Sequence, residues 1–321
     1  MSPHSIVGHA RQLAELKADI DSGNVAHAYL FGGAPNLGKM TVAKWFAREM
    51  MIVGKTPEQI QEIDHQLEHL IHPDYMVLDQ LWIEDQCEDW NLIAKSTNVP
   101  LQHRAKAPPA RTDIISIDDV REIQTRLQEA GNGQYRFCVI RGIERMQEGA
   151  ANAFLKILEE PPPGRIFILT TDTLQTVLPT ILSRSRVVRF QRVADRDVST
   201  LLKDSNEDDQ RFILHLAQGA PGRAVRLAED ADALADEKEL HQQAMGFWKT
   251  SSPINRMMAL VPLHKKGANA DRFLFHLALA LRETGDYTRH QEQALVELSE
   301  GLRTNASRAL MTEYFALSSQ K

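Results

Sequence analysis

Three stretches of this chain carry residue types whose spacing could do chemistry. The first runs Gly33-Ala34-Pro35-Asn36-Leu37-Gly38-Lys39-Met40-Thr41, which places Gly33, Gly38 and Lys39 as GxxxxGK between a strand-like His27 to Phe31 and a helix-like Thr41 to Met50. In that setting backbone N–H groups at a helix N-terminus form a nest for phosphate oxygens, and the lysine adds a point charge. The next position should bring a hydroxyl to the magnesium ion that accompanies a triphosphate. Here it is Met40, whose thioether is a poor ligand for a hard cation. Thr41 comes one residue late, about 100° further round the helix. Glycines at such a turn also serve a plain strand-to-helix connection. The flanking elements favour a retained nucleotide site without efficient metal-assisted hydrolysis.

The second stretch is Arg136 to Phe190. A hydrolytic phosphate-loop protein needs a carboxylate at the end of a neighbouring strand to hold the metal, and usually another to activate water. After the strand-like Phe137 to Ile140 come Arg141 and Gly142, and the first acid is Glu144. Arg141 would bring positive charge to the place where the metal belongs. Met40 and Arg141-Gly142 thus remove the same chemistry independently, which argues for a fold kept for architecture rather than turnover. Further on, Thr170, Thr171 and Asp172 follow an apolar run, at the kind of strand end where open α/β sheets bind ligands. Ser183-Arg184-Ser185 stands just ahead of a third β-like run, Arg186 to Phe190. The third stretch is the turn Gly219 to Gly222 with Arg223 opening a helix. Arg223 is a candidate phosphate contact from a small helical lid, although a surface arginine is equally ordinary there.

The elements that must position these residues read as alternating strands and helices. Arg136 to Ile140 and Arg165 to Leu169 are β-branched and aromatic runs separated by a helix-like segment, in which Ala150, Phe154, Ile157 and Leu158 recur at spacings of three and four. Pro161 ends that helix. This is the order of a βαβ unit in a buried parallel sheet. Tyr75 to Leu78 reads as a further short strand. Val7 to Ile20 reads as a surface helix, Pro57 to Leu70 as helical, and Ile117 to Ala130 as an amphipathic helix closed at Gly131. From Val193 onward helix signals take over, with segments at Asp195 to Leu202, Asp208 to Ala217, Arg223 to Glu229, Glu237 to Lys249, Asn255 to Leu263, Asp271 to Thr284, Arg289 to Thr304 and Asn305 to Leu317. The stripes Phe273, Leu277, Leu281 and Leu295, Leu298, Leu302 suit a bundle core, and only an excess stripe would bind a partner.

Composition narrows the classes. A chain of 321 residues with 43% apolar, 25% charged and 6% aromatic residues is an ordinary globular protein of two or three domains. A net charge of -6 means that nucleic-acid binding, where it occurs, draws on a local patch or a basic partner. Cys87 and Cys138 are far apart and suggest no disulfide framework, which fits a reducing, cytoplasmic compartment. No apolar run suggests a signal peptide or a membrane span. Val53 to Thr112 is the least legible part: Glu84 to Asp89 is acidic, and prolines with Arg104, Lys106 and Arg111 suggest an exposed loop over Asn98 to Arg111. His65 and His69 are spaced i, i+4, but no second pair of ligands follows to complete a metal site.

Three strings occur in order along the chain: HAYLFGG before the phosphate loop, ERM followed by NAFLKILEEPP, and LPTILSRS. On these the chain resembles the AAA+ clamp-loader family in its bacterial DNA polymerase III δ′ branch, from about Ile6 to Glu229, the C-terminal bundle matching in character only. The resemblance implies a RecA-like AAA+ α/β domain over residues 1–192, a small helical lid over 193–233 and an all-helical collar over 234–321. The SRS string looks like the family's SRC motif, whose arginine acts in trans as a finger on ATP held by the adjacent subunit. Ser185 replaces the cysteine and leaves Arg184 in place. Thr171 matches the sensor-1 position, and Arg223 falls where sensor 2 would be. Family members commonly carry a four-cysteine zinc module after the phosphate loop; with Cys87 alone there, zinc is not carried over.

The δ′ branch is often the rigid, non-hydrolysing member of a pentameric ring with γ/τ and δ subunits, which places a sliding clamp on primed DNA. The implied site is therefore Arg184 for a neighbour's catalysis, and Gly33, Gly38, Lys39, Met40, Thr41, Thr171 and Arg223 around an ATP or ADP bound structurally, with magnesium poorly coordinated. Two other readings stay open: an active γ/τ-like or helicase-like ATPase, which would need the missing acids, and a stand-alone DNA-binding protein, against which the net charge speaks.

Overall fold

The computed structural model describes residues 6–78, 114–128 and 133–319. Within it the chain divides into two compact units, with the division in sequence between Arg226 and Leu227.

The first unit is built on strands β1 (Ala28–Gly32), β2 (Tyr75–Leu78), β3 (Arg136–Ile140), β4 (Arg165–Thr171) and β5 (Arg186–Arg189). They form a five-stranded, all-parallel sheet in the order β2-β3-β4-β1-β5. Tyr29, Phe31, Val77, Phe137, Val139 and Ile168 face a layer made by α1 (Ala10–Asp21), α2 (Lys39–Met51) and α3 (Pro57–Glu68). The alternate residues Leu30, Met76, Cys138, Ile140, Phe167 and Leu169 face α4 (Ile117–Gln128) and α5 (Glu148–Glu159). Both faces are therefore covered, which is why the strands read as unbroken apolar runs instead of alternating ones. Each fully buried side chain of this kind contributes about 1.5–3 kcal/mol by leaving water. The layering is RecA-like, as the sequence implies. Cys138 sits wholly inside, and burial pushes its thiol up to about 12, so it is not a thiolate at neutral pH.

Strand order matters for function because β1 lies between β4 and β5, and the sequence order changes direction there. Gly32 pairs with Thr171, so β4 runs two residues beyond the apolar stretch that marked it in the sequence. The loop after β1 and the residues after β4 consequently leave the sheet side by side, the usual place for a ligand in such a sheet. After α6 (Pro179–Leu182) and β5, the unit adds α7 (Asp195–Val198), α8 (Glu207–Ala217) and the first turns of α9 (Pro221–Glu229). Asn206 caps α8 by accepting the amide of Asp209 at 2.8 Å. The sequence segments Glu84 to Asp89, Asn98 to Arg111 and the expected helix end at Ala130-Gly131 lie outside the described residues.

The second unit is helical: α10 (Ala231–Lys249), α11 (Pro253–Ala259), α12 (Ala268–Glu283), α13 (Arg289–Gly301) and α14 (Arg308–Ser318). Phe273, Leu277, Leu281, Leu298 and Leu302 are buried with Phe247 and Phe315, and Leu295 packs against them, so the two stripes read from sequence form the core. The helix expected over Asn255 to Leu263 stops at Ala259 and gives way to a tighter 3-10 turn over Val261–His264, where Pro262 has no N–H to continue the α-helical ladder. Arg256 is buried, donating to Ala316 O at 2.9 Å and lying 4.2 Å over the Phe247 ring. A polar line crosses the same bundle: Arg272 Nε donates to Glu237 Oε1 at 2.9 Å, His276 Nε2 to Glu237 Oε2 at 2.5 Å, and His241 Nε2 to Glu283 Oε2 at 3.1 Å. Its i, i+4 spacings, Glu237 with His241 and Arg272 with His276, are visible in the sequence only in retrospect. Among the described residues no helix is long and apolar enough to cross a membrane.

Candidate functional site

The phosphate loop leaves β1 at Gly33, where an added Cβ would stand 2.5 Å from the carbonyl oxygen of Phe190, so only glycine fits. Gly38 takes a left-handed conformation (φ 85°) as the N-cap of α2 and turns the chain into the helix. Between these glycines the loop's carbonyls are held by the protein. Lys39 Nζ donates to Gly33 O, to Ala34 O at 2.8 Å and to Asp172 Oδ1 at 2.8 Å. Gly222, in the first turn of α9, donates its amide to Asn36 O at 2.9 Å. His9 Nε2 donates to Leu37 O at 2.8 Å, a bond that fixes the proton on that nitrogen because a carbonyl only accepts. The His9 ring meets Phe190 edge-on at 4.8 Å, and this burial lowers its pKa below the ordinary histidine value.

Met40 packs against the apolar layer under the loop, and Thr41 is half-buried on the next position of the helix. At the end of β3, Gly142 donates its amide to Thr170 Oγ1 at 3.1 Å, and Arg141 O accepts from Arg145 Nη2 at 2.5 Å. Thr171 is turned into its own chain: its hydroxyl donates to Thr173 O at 3.1 Å and accepts the Thr173 amide at 3.2 Å. Asp172 N donates to Glu144 Oε1 at 3.3 Å. The acids nearest the loop, Asp172 and Glu144, are thus engaged with Lys39 and a backbone amide. Met40, partly buried against the core, offers a thioether, and no carboxylate follows β3 directly, which is a poor donor set for a hard cation.

Arg184 lies at the other end of the same layer, between α6 and β5. Its Nη2 donates to Glu159 Oε1 at 2.7 Å, and its Nη1 to Thr180 O at 3.1 Å and to Ser183 Oγ at 3.3 Å. The side chain is 34% exposed. Ser185, beside it, has a buried hydroxyl that meets no hydrogen-bond partner among the described residues. Gly33, Gly38, Lys39 and Thr171 come together around the loop. Arg223 follows the Gly222 amide that touches that loop and is half-buried. The His65 and His69 rings lie tilted against each other, centroids 4.3 Å apart, and among the described residues no group of three or more possible ligands could hold a metal ion.

Sequence reasoning missed Asp172 as the partner of Lys39, Glu159 as the partner of Arg184, and the braces from His9 and Gly222. Asp172 had one usable signal, its position just past a strand that must lie beside β1. Glu159 had another, an acid at the last turn of a helix, where the dipole disfavours it.

The family model described as "DNA polymerase III, delta subunit" matches residues 8–194. The DNA polymerase III subunit delta' of Haemophilus influenzae is 24% identical over 283 residues, which is 86% of this chain and 75% of that protein. The DNA polymerase III subunit gamma/tau of Mycobacterium tuberculosis is 28% identical over 202 residues, covering 61% of this chain and 30% of the relative. The chain therefore spans only 30% of the length of such gamma/tau relatives. A DNA polymerase III gamma subunit-related protein from Thermotoga maritima shares the fold, with a TM-score of 0.55 and 18% identity over 95% of this chain and 97% of that one.

Proposed function

This chain belongs to the DNA polymerase III delta subunit family, and from that premise we propose that it works as a δ′-type clamp-loader subunit. It fills one position of a pentameric ring with γ/τ and δ subunits in the cytoplasm, and the ring opens a sliding clamp and sets it on primed DNA. The chain does not itself turn over ATP efficiently. Instead Arg184 completes the ATP site of the adjacent subunit.

The observation that carries this reading is the opposite disposition of two cations. Lys39 is folded onto its own loop and Asp172, with 8% of its side chain exposed, while Arg184 is displayed at 34% on a short, bonded turn. A transferring phosphoryl group spreads negative charge over its oxygens, and a planar guanidinium fork neutralises that charge in a fixed geometry. Such a finger is worth about 10³ to 10⁵ in rate. A subunit that hydrolyses nothing is then still needed for its neighbour's hydrolysis. In this reading ATP or ADP held by the loop through Gly33, Gly38 and Lys39, with Thr171 and Arg223 near it, is a structural ligand, and magnesium is poorly held.

The second unit serves as the collar that holds the oligomer. Support comes from two apolar stripes left on its surface: Ile254, Met258 and Val261 on and after α11, and Leu310, Tyr314 and Leu317 on α14, all at i, i+4, i+7 and more than half exposed. The two helices pack against each other.

The test is ATP-driven clamp loading by the reconstituted complex with Arg184→Ala. Loss of hydrolysis at one neighbouring site with the complex intact supports the reading; full loading without Arg184 would sink it. A second reading, an active γ/τ-like ATPase, is favoured by the identity to the gamma/tau subunits. Turnover by the isolated chain would establish it in place of the first.

A further inference from the structure

Glu159 and Arg184 belong to different elements, 25 positions apart, and meet at 2.7 Å. Glu159 is the last residue of α5. A carboxylate there faces the negative end of the helix dipole, and Glu160 adds a second one at the C-cap. Pro161, Pro162 and Pro163 follow at once, so the helix end is fixed and Glu159 is carried by a rigid element rather than a loop. Phe154, Ile157 and Leu158, buried against the sheet, hold that last turn in place. An acid on a rigid support that its own helix disfavours finds its favourable contact outside the helix, on the guanidinium of Arg184.

Three bonds on that guanidinium come from three directions. Thr180 O and Ser183 Oγ take Nη1, and Glu159 takes Nη2. Thr180 and Ser183 belong to the same turn as Arg184, so among the described residues only Glu159 ties the guanidinium to another element of the domain. A guanidinium has five N–H donors, and Nε lies outside these bonds among the described residues. We propose that Glu159 is a positioning residue for Arg184: it selects the outward rotamer and holds the guanidinium plane so that the remaining donors point away from the domain toward an anionic ligand, the triphosphate of a neighbouring subunit. This rests on the reading of Arg184 as a finger acting in trans. Exposed pairs of this kind are weak, with Arg184 34% and Glu159 51% exposed, so Glu159 orients the arginine without outcompeting a multiply charged phosphate for it.

The test uses the full reconstituted complex, assembled so that the site facing Arg184 is the one ATP site with an intact phosphate loop, and compares Glu159→Gln, Arg184→Ala and the double variant. We expect Arg184→Ala to lower kcat by about 10³. Glu159→Gln should lower kcat about fivefold with KM for ATP unchanged, and the double variant should match Arg184→Ala alone. A further loss from Glu159→Gln in the Arg184→Ala background would mean that the acid acts on the fold, and would overturn the proposal. So would an unchanged kcat in Glu159→Gln when Arg184→Ala shows its full loss, which leaves the finger reading standing. No loss in Arg184→Ala removes the finger reading and this inference with it. Equal thermal unfolding of wild type and Glu159→Gln confirms that the rates compare folded proteins.

Discussion

Lys39 and Arg184 both stand at turns of the same α/β layer, yet they end in opposite states. The lysine has three donors, and all three are used within the chain, on Gly33 O, Ala34 O and Asp172. The arginine has five, is anchored along one side, and remains one-third exposed. A compact ammonium is strongly hydrated and tolerates burial only when each proton finds an acceptor, which the bent loop supplies from its own carbonyls. A planar guanidinium keeps its charge and its fork geometry at a surface. With Lys39 bonded to Gly33 O, Ala34 O and Asp172, the loop is closed by its own lysine. In the proposed reading the same fold keeps a working cation elsewhere, on Arg184, aimed at another molecule.

The comparison breaks most plainly if the two cations are removed one at a time. Arg184→Ala should cost about 10³ in ATP hydrolysis at the neighbouring site, while Lys39→Ala should leave loading by the complex within about twofold of wild type. The measurement is steady-state hydrolysis and clamp loading by complexes carrying either change. Comparable losses from both would make the loop a working site and end the contrast.

The seat of the arginine can be improved without touching the arginine. The hydroxyl of Ser185 is buried without a partner among the described residues, and an unmet buried hydroxyl costs about 1–3 kcal/mol. A thiol donates and accepts weakly and loses little in such a place. Ser185→Cys should raise the unfolding free energy by about 1–2 kcal/mol in urea titration, with the neighbour's hydrolysis unchanged. A change in hydrolysis as large as the change in stability would show that Ser185 takes part in the work of Arg184.

On the other side of the comparison, Asp172 is the acceptor that can be withdrawn from Lys39. Since Asp172 is half exposed, the pair is worth only about 1 kcal/mol. Asp172→Asn should therefore tighten binding of a fluorescent ADP or ATP analogue to the isolated chain by about fivefold, because a negative charge no longer competes with phosphate for the ammonium. Unchanged affinity would mean that the two carbonyls alone close the loop.

What the sequence revealed and concealed follows the same division between local and tertiary facts. Tyr75 to Leu78 and Arg136 to Ile140 could be read residue by residue, because strands buried on both faces are apolar throughout. The loop was legible because GxxxxGK is a local pattern, and the lack of acids after β3 could be seen directly. The partners of both cations left only weak local signals. Asp172 reaches Lys39 only through the register that pairs Gly32 with Thr171, and Glu159 reaches Arg184 only through the packing of α5 against α6. Helical spacing also could not rank the stripes of the second unit. Phe273, Leu277 and Leu281 are buried while Leu310, Tyr314 and Leu317 are exposed, although both sets recur at the spacing of a helix face.

The smallest expected effect concerns the outer brace of the loop. Desolvation lowers the pKa of His9 in the folded chain, with the bond to Leu37 O partly offsetting it. The unfolded chain, with an ordinary value near 6.5, then takes up a proton first as the pH falls. The stabilising contribution is complete above that ordinary value and is lost as the pH falls through the folded one. His72 shifts in the same direction through burial, so total stability alone does not isolate His9. The difference between wild type and His9→Gln does, since glutamine can still donate to Leu37 O but does not titrate. Urea unfolding at pH 7.5 and 5.5 should show wild type losing more stability than His9→Gln, the smallest difference of the series. Equal losses would place the acid sensitivity of this unit elsewhere and leave the closed loop indifferent to pH, held by Lys39 and Gly222 without help from His9.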